Sequence, residues 1–191
     1  MPDYRRYFVP GGTYFFTVVT YQRRPLFASG QNVQRLRNAL REVKEDQPFD
    51  VLAAIILPDH LHFVWTLLSG DRQYSKRIGR MKVLFTRSYR GENGLPESMT
   101  ASRKKHRESD VWQRRFWEHT IRDEDECQRY FDYIHYNPVK HRLVSCPHLW
   151  QASSFHRWVP QGLYDARWGC CCGGRDPERI DFSGIEDKTG E

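Results

Sequence analysis

FDVLAAIILPDHLHFVWTLL, residues 49–68, is the stretch whose reading decides the fold. Phe49–Leu57 is short and almost wholly apolar, as a strand covered on both faces is. Pro58-Asp59 is turn chemistry, and His60–Leu68 is a second β-branched and aromatic run, so the two runs form a hairpin. Toward the N-terminus, Val33, Leu36, Ala39, Leu40 and Val43 recur at helical spacing and predict a helix from Asn32 to about Glu45. Thr13–Thr20 (TYFFTVVT), preceded by Gly11-Gly12, reads as a strand. Toward the C-terminus, a basic helix is expected over Tyr74–Arg90 around Ile78, Met81, Leu84 and Phe85. Val111–His119 (VWQRRFWEH) suits a strand. Glu124–Tyr136 is helical and should end at about Asn137, because Pro138 biases the residue before it away from helical backbone. Strand, helix, strand, strand, helix, strand, helix is the order of an α+β domain, an antiparallel sheet with helices packed on it.

The 191 residues suffice for one domain with a real core, expected over residues 1–165. Gly91–Asp110, poor in apolar residues and carrying Arg103-Lys104-Lys105-His106-Arg107, is expected to be a mobile loop. Residues 166–191 are expected to form a disordered acidic tail, with little structure from Gly169 onward. Net charge is +6; the segment from Arg175 to Glu191 has six acids against three bases, which leaves the preceding residues at +9. A basic body points to a polyanionic partner. No apolar run approaches membrane-spanning length, and Asp3, Arg5 and Arg6 leave no room for a signal peptide, so a cytoplasmic location is expected with no membrane partner. Five cysteines, three of them adjacent at Cys170–Cys172, suit neither a disulfide framework nor the C-x₂₋₄-C spacing of a zinc site.

His60 and His62 are two apart on a predicted strand, so both imidazoles leave one face of the sheet and could share a divalent cation. Alone, such a pair is weak, since most are surface or packed histidines. Tyr133 and Asn137 lie one turn apart on one helical face, and Asn137 offers a carboxamide oxygen as a hard ligand. A cation that polarises a phosphodiester would compensate for the poor nucleophilicity of a phenol. Tyr130 and Tyr136 lie within one turn of Tyr133, and physics by itself leaves the three tyrosines open.

LPDHLHFVWTL (Leu57–Leu67) and YIHYNPVKHRLV (Tyr133–Val144) resemble the two signature segments of the REP-associated tyrosine transposases, in the single-tyrosine, His-hydrophobic-His superfamily. The resemblance extends through YRRYFVPGGTYFFTVVTYQRRPLF (Tyr4–Phe27), VWQRRFWEHTIRDEDE (Val111–Glu126) and SSFHRWV (Ser153–Val159). It implies a ferredoxin-like α+β fold. It also implies a metal-dependent endonuclease and strand transferase acting on single-stranded DNA hairpins formed by repetitive extragenic palindromes (REP). Tyr133 would be the nucleophile, forming a 5′-phosphotyrosine and leaving a 3′-OH, with His60, His62 and Asn137 as metal ligands. Where relatives often carry glycine, this chain has Arg142.

Two imidazoles and an amide oxygen suit Mn²⁺ better than Mg²⁺, though abundant Mg²⁺ competes for such a site. Arg5, Arg6, Arg23, Arg24, Arg114, Arg115 and Lys140 are the candidate DNA-binding residues, interleaved with aromatics as single-strand surfaces are. Monomer is favoured over dimer. The alternatives are a non-cleaving hairpin-binding regulator and a hydrolytic metallonuclease in which Tyr133 is structural.

Overall fold

Phe49–Ile56 (β2) and His60–Leu67 (β3) form the expected antiparallel hairpin in a computed structural model that describes residues 8–93, 110–172, 180 and 182–186. Thr13–Val19 (β1) pairs antiparallel with β3 on one side and with Trp117–Ile121 (β4) on the other, giving the order β2-β3-β1-β4. That is the ferredoxin-like arrangement, with helices in the connections β1–β2 and β3–β4.

The period of two divides each strand between two cores. Tyr14, Phe16 and Val18 of β1 and Leu61, Phe63, Trp65 and Leu67 of β3 point to one face. There they pack beneath Gly30–Asp46 (α1) and Tyr74–Asn93 (α2), which lie against each other. Phe15, Ala53, Ile55 and Val64 point to the other face, against Tyr130, Tyr133 and Ile134 of Glu124–Lys140 (α3). Because both faces are covered, β1, β2 and β3 are predominantly apolar. Trp65, fully buried against Phe16, Phe49 and Phe63, is the kind of side chain whose truncation to alanine costs about 3–5 kcal/mol. The β2 edge is covered by Ala152–Trp158, where Ser154 exchanges backbone and side-chain bonds with Ala54 and the Trp158 indole donates to the Leu52 carbonyl.

Helix α3 starts where Asp123 caps the Glu126 N–H at 2.7 Å and Glu126 in turn accepts from the Arg122 N–H at 2.8 Å. Such a cap contributes about 1 kcal/mol, and the acids Glu124, Asp125 and Glu126 complement the helix dipole. The helix does not stop at Asn137. It carries Pro138 inside its last turn and reaches Lys140. Only the bond to the Ile134 carbonyl is forfeited so close to the end, and Asn137, Pro138 and Val139 are buried. The exit is a Schellman closure: Leu143 N–H donates to Pro138 O and Arg142 N–H to Val139 O, with Arg142 at φ 56°. Arg142 therefore adopts the left-handed backbone that a glycine takes without strain.

Three other expectations need correction. The fourth strand is Trp117–Ile121, not Val111–His119, because Val111 and Trp112 plug the α1/α2 core and the Trp112 indole donates to Lys82 O. Both ends of the segment expected to be a mobile loop at 91–110 belong to the fold. α2 continues to Asn93, and Asp110 is fixed by Arg90 at 2.6 Å and by Arg24, which donates to its carbonyl. The rest of it, with the basic run at 103–107, lies outside the described residues. Within the segment expected to be an unstructured tail, Ser183–Glu186 is a helical turn, and Phe182 and Ile185 are buried in the α3 core.

Candidate active site

His60 and His62 project from β3 toward α3, and both are buried. Their rings meet edge-to-face at 5.0 Å between centroids. Each ring is held through Nδ1. For His60 the partner is Asp59 Oδ1 at 2.6 Å; for His62 it is Thr17 Oγ1 at 3.0 Å, from the residue paired with it on β1. Asp59 also receives Arg23 Nη1 at 3.1 Å. Burial alone would raise the Asp59 carboxyl, but bonds and charge from His60 and Arg23 outweigh it and hold the group below its ordinary range. A carboxylate that fixes the Nδ1–H tautomer makes Nε2 the nitrogen the ring offers to a cation, as second-shell carboxylates do in metal sites.

Across from the imidazoles runs one stripe of α3. Tyr133 meets His62 edge-on at 5.4 Å, and His141, two turns later, meets His60 at 5.5 Å. Asn137 lies midway on the same stripe and is fully buried. Lys140 places Nζ 3.4 Å from the Tyr133 hydroxyl and 4.8 Å from the centre of its ring. Phe15 backs the site, stacked on His62 at 5.3 Å. Phe182 lies edge-on to Tyr133 at 5.4 Å and Tyr133 is fully buried.

The rival tyrosines are placed elsewhere. Tyr130 stacks on Phe15 and lies tilted against His119, and burial raises its phenol well above the ordinary value. Tyr136 packs on Trp168 and Phe182, and burial raises it as well. His135 faces away from the site and bonds Ser154 Oγ through Nε2 at 2.8 Å; burial, then the charges of Arg157 and His156, push it down to about 3.

The sequence over residues 9–137 matches the family described as "Transposase IS200 like". The chain is 40% identical over 168 residues to the REP-associated tyrosine transposase of Escherichia coli K12, covering 88% of this chain and 91% of that one. A protein of Haemophilus influenzae with the same family designation is 42% identical over 172 residues, at 88% and 94% coverage. The chain belongs to the REP-associated tyrosine transposases. A solved structure of such a transposase bound to a REP hairpin superposes with a TM-score of 0.75 at 39% identity, covering 95% of this chain and 99% of that one.

In this transposase the expected DNA-binding residues fall in three places. Arg23 and Arg24 follow β1, and Arg114 and Arg115 are exposed just before β4. Gln113 N–H bonds Val19 O, and Val19 pairs with His60, so these arginines gather at the sheet end that carries His60. Lys140 is inside the site. Arg5 and Arg6 lie outside the described residues. Asp59, Thr17 and His141 were not picked out as site residues from the sequence. Asp59 was explained by the turn. His141 is i+4 from Asn137, a relation that holds only because the helix continues past that residue. Glu118 and His119 are not at the site: Glu118 accepts from the Tyr74 hydroxyl in the α1/α2 core, and His119 pairs with Glu126 at 2.8 Å.

Proposed function

We propose that this transposase cleaves and rejoins single-stranded DNA at REP-type hairpins, with Tyr133 as nucleophile and His60, His62 and Asn137 holding a divalent cation. The observation that carries the reading is the Tyr133–Asn137–His141 stripe set against His62 and His60, which gathers a phenol, an amide and imidazoles, all buried except His141 at the helix cap. The donor set fits a hard-to-borderline ion, Mn²⁺ in preference to Mg²⁺. A cation bound there would polarise the scissile phosphate.

The chain's own residues do the rest. The Tyr133 oxygen attacks phosphorus and gives up its proton. The P–O3′ bond breaks, and the departing oxygen takes up a proton to become a 3′-OH. The strand stays joined through a 5′-phosphotyrosine, ready for attack by another 3′-OH that restores a phosphodiester and the phenol. Lys140 sits where it stabilises negative charge on the phenol oxygen. Arg23, Arg24, Arg114 and Arg115 neutralise phosphates entering at the His60 end of the sheet. Phe182 covers Tyr133, so admission of a strand requires the segment at 182–186 to swing aside.

Incubation with an end-labelled REP hairpin and Mn²⁺ tests the reading. A covalent protein–DNA species should form with Mn²⁺, fail to form when EDTA is present from the start, and form once excess Mn²⁺ is then added. Hairpin binding with no adduct and no free 3′-OH under any divalent cation would leave a binding protein instead.

A further inference from the structure

Away from the active site, two segments bring four soft donors together. Cys146 and His148 follow α3; Cys170 and Cys172 follow Trp168. The structure pairs Cys146 with Cys170. The ligand atoms of Cys146, His148 and Cys170 lie within 4.8 Å of one another. Cys172 Sγ is 3.3 Å from Cys146 Sγ, and His148 Nδ1 is 3.6 Å from Cys170 Sγ. We propose that Cys146, His148, Cys170 and Cys172 form a structural zinc site of Cys₃His type.

Two of the separations, His148–Cys170 at 3.6 Å and Cys146–Cys172 at 3.3 Å, are close to those of a metal site, while Cys146 and Cys170 are bonded to each other and part when reduced. Tetrahedral Zn²⁺ with ordinary Zn–S and Zn–N bonds sets its ligand atoms about 3.6–3.8 Å apart. The local backbone explains how spacings of one residue supply ligands. Cys146 is extended, and Pro147 opens the short turn Pro147–Leu149 that brings His148 round. Gly169, at φ +65°, passes so close to Pro147 and Tyr136 that an added Cβ would lie 3.3 and 3.0 Å from them, and this delivers Cys170 beside Cys146 and His148. Cys171 N–H and Sγ both bond the Ser145 carbonyl, which turns Cys171 away from the cluster and leaves Cys170 and Cys172 on its other side. A disulfide uses two of these four groups; a metal uses all of them. Four protein ligands leave no open position, so the site is a clamp rather than a catalyst. It ties the exit of the nucleophile helix to the segment that leads on to Phe182. A thiol reductant first supplies two electrons that cleave the Cys146–Cys170 bond to two thiols, and loading then releases the thiol protons to solvent.

The test uses the full chain, purified under reducing conditions with Zn²⁺ and dialysed against a weak chelator. About one zinc per chain should remain, and it should persist in the His60→Ala/His62→Ala double variant. Co²⁺ in its place should give the near-ultraviolet thiolate band and intense visible bands of a tetrahedral centre. Cys172→Ser should lose the metal at least about tenfold more readily, while Cys171→Ser retains it. If Cys172→Ser fails to fold, the Co²⁺ spectrum of the unaltered chain still decides. The proposal fails if the reduced protein retains no zinc, if the cobalt spectrum lacks thiolate bands, or if Cys171→Ser loses metal as Cys172→Ser does. A Cys146–Cys170 disulfide persisting in the same reducing buffer, seen as a cross-linked peptide, would also overturn it.

Discussion

Asp59→Asn and Asp59→Ala separate geometry from charge at His60. In the native site Asp59 Oδ1 lies 2.6 Å from Nδ1 of a ring whose side chain is 3% exposed, while Asp59 itself is 22% exposed. Water therefore substitutes poorly for the carboxylate. The carboxyl is held below its ordinary range, so its charge is present at neutral pH. Asparagine keeps an acceptor for Nδ1–H but loses the charge; alanine loses both. Removing second-shell partners of this kind weakens metal binding about 10- to 100-fold, roughly 1.4–2.7 kcal/mol. Asn should fall near the lower figure and Ala near the upper. The assay is Mn²⁺ titration by calorimetry on zinc-loaded protein, paralleled by the Mn²⁺ concentration for half-maximal hairpin cleavage. Asp59→Ala binding Mn²⁺ within about twofold of the unaltered chain would refute the carboxylate–imidazole argument.

His135, pushed down to about 3 chiefly by burial, binds its proton more readily unfolded than folded. Its contribution is complete above the unfolded value near 6.5 and is lost as pH falls toward 3, amounting to about 2 kcal/mol between roughly pH 7 and pH 5. Urea unfolding at the two pH values and an NMR titration check this, and a His135 midpoint near 6.5 in the folded protein would contradict it. Arg142→Gly relieves a left-handed backbone at φ 56° and should raise Tm by about 2–4 °C, for a gain of about 1 kcal/mol; a lower Tm would mean that the arginine side chain contributes more than the strain costs. Gly169→Ala should cost about 1–3 kcal/mol in chemical denaturation, from the positive φ and the contacts with Tyr136 and Pro147, and a neutral result would mean that the segment relaxes freely.

The sheet was legible in the sequence because β1, β2 and β3 are filled on both faces and bounded by turn chemistry. The His60/His62 pair was legible for the same reason, since a strand period of two needs no tertiary information. Val111-Trp112 misled because β-branched and aromatic residues mark a core plug as well as a strand; only the contacts to Lys82 and Thr20 tell them apart. Pro138 misled because a local bias against helix was outweighed by burial and by the Schellman closure. Cys146 and His148 meet Cys170 and Cys172 although Cys146 and Cys170 are 24 residues apart in the chain. Spacing rules, which see only neighbours, pass over a site assembled by a fold. Phe182 and Ile185 were hidden in the same way, as isolated apolar residues in an acidic background.

The central claim is that Tyr133 makes the covalent bond, and the most direct measurement is adduct formation by Tyr133→Phe. A labelled REP hairpin with Mn²⁺ should give a protein–DNA adduct with the unaltered chain and none with the variant, while the variant still binds the hairpin. Peptide mass spectrometry should place the nucleotide on Tyr133. An adduct persisting in Tyr133→Phe, or mapped to Tyr130 or Tyr136, would contradict the account.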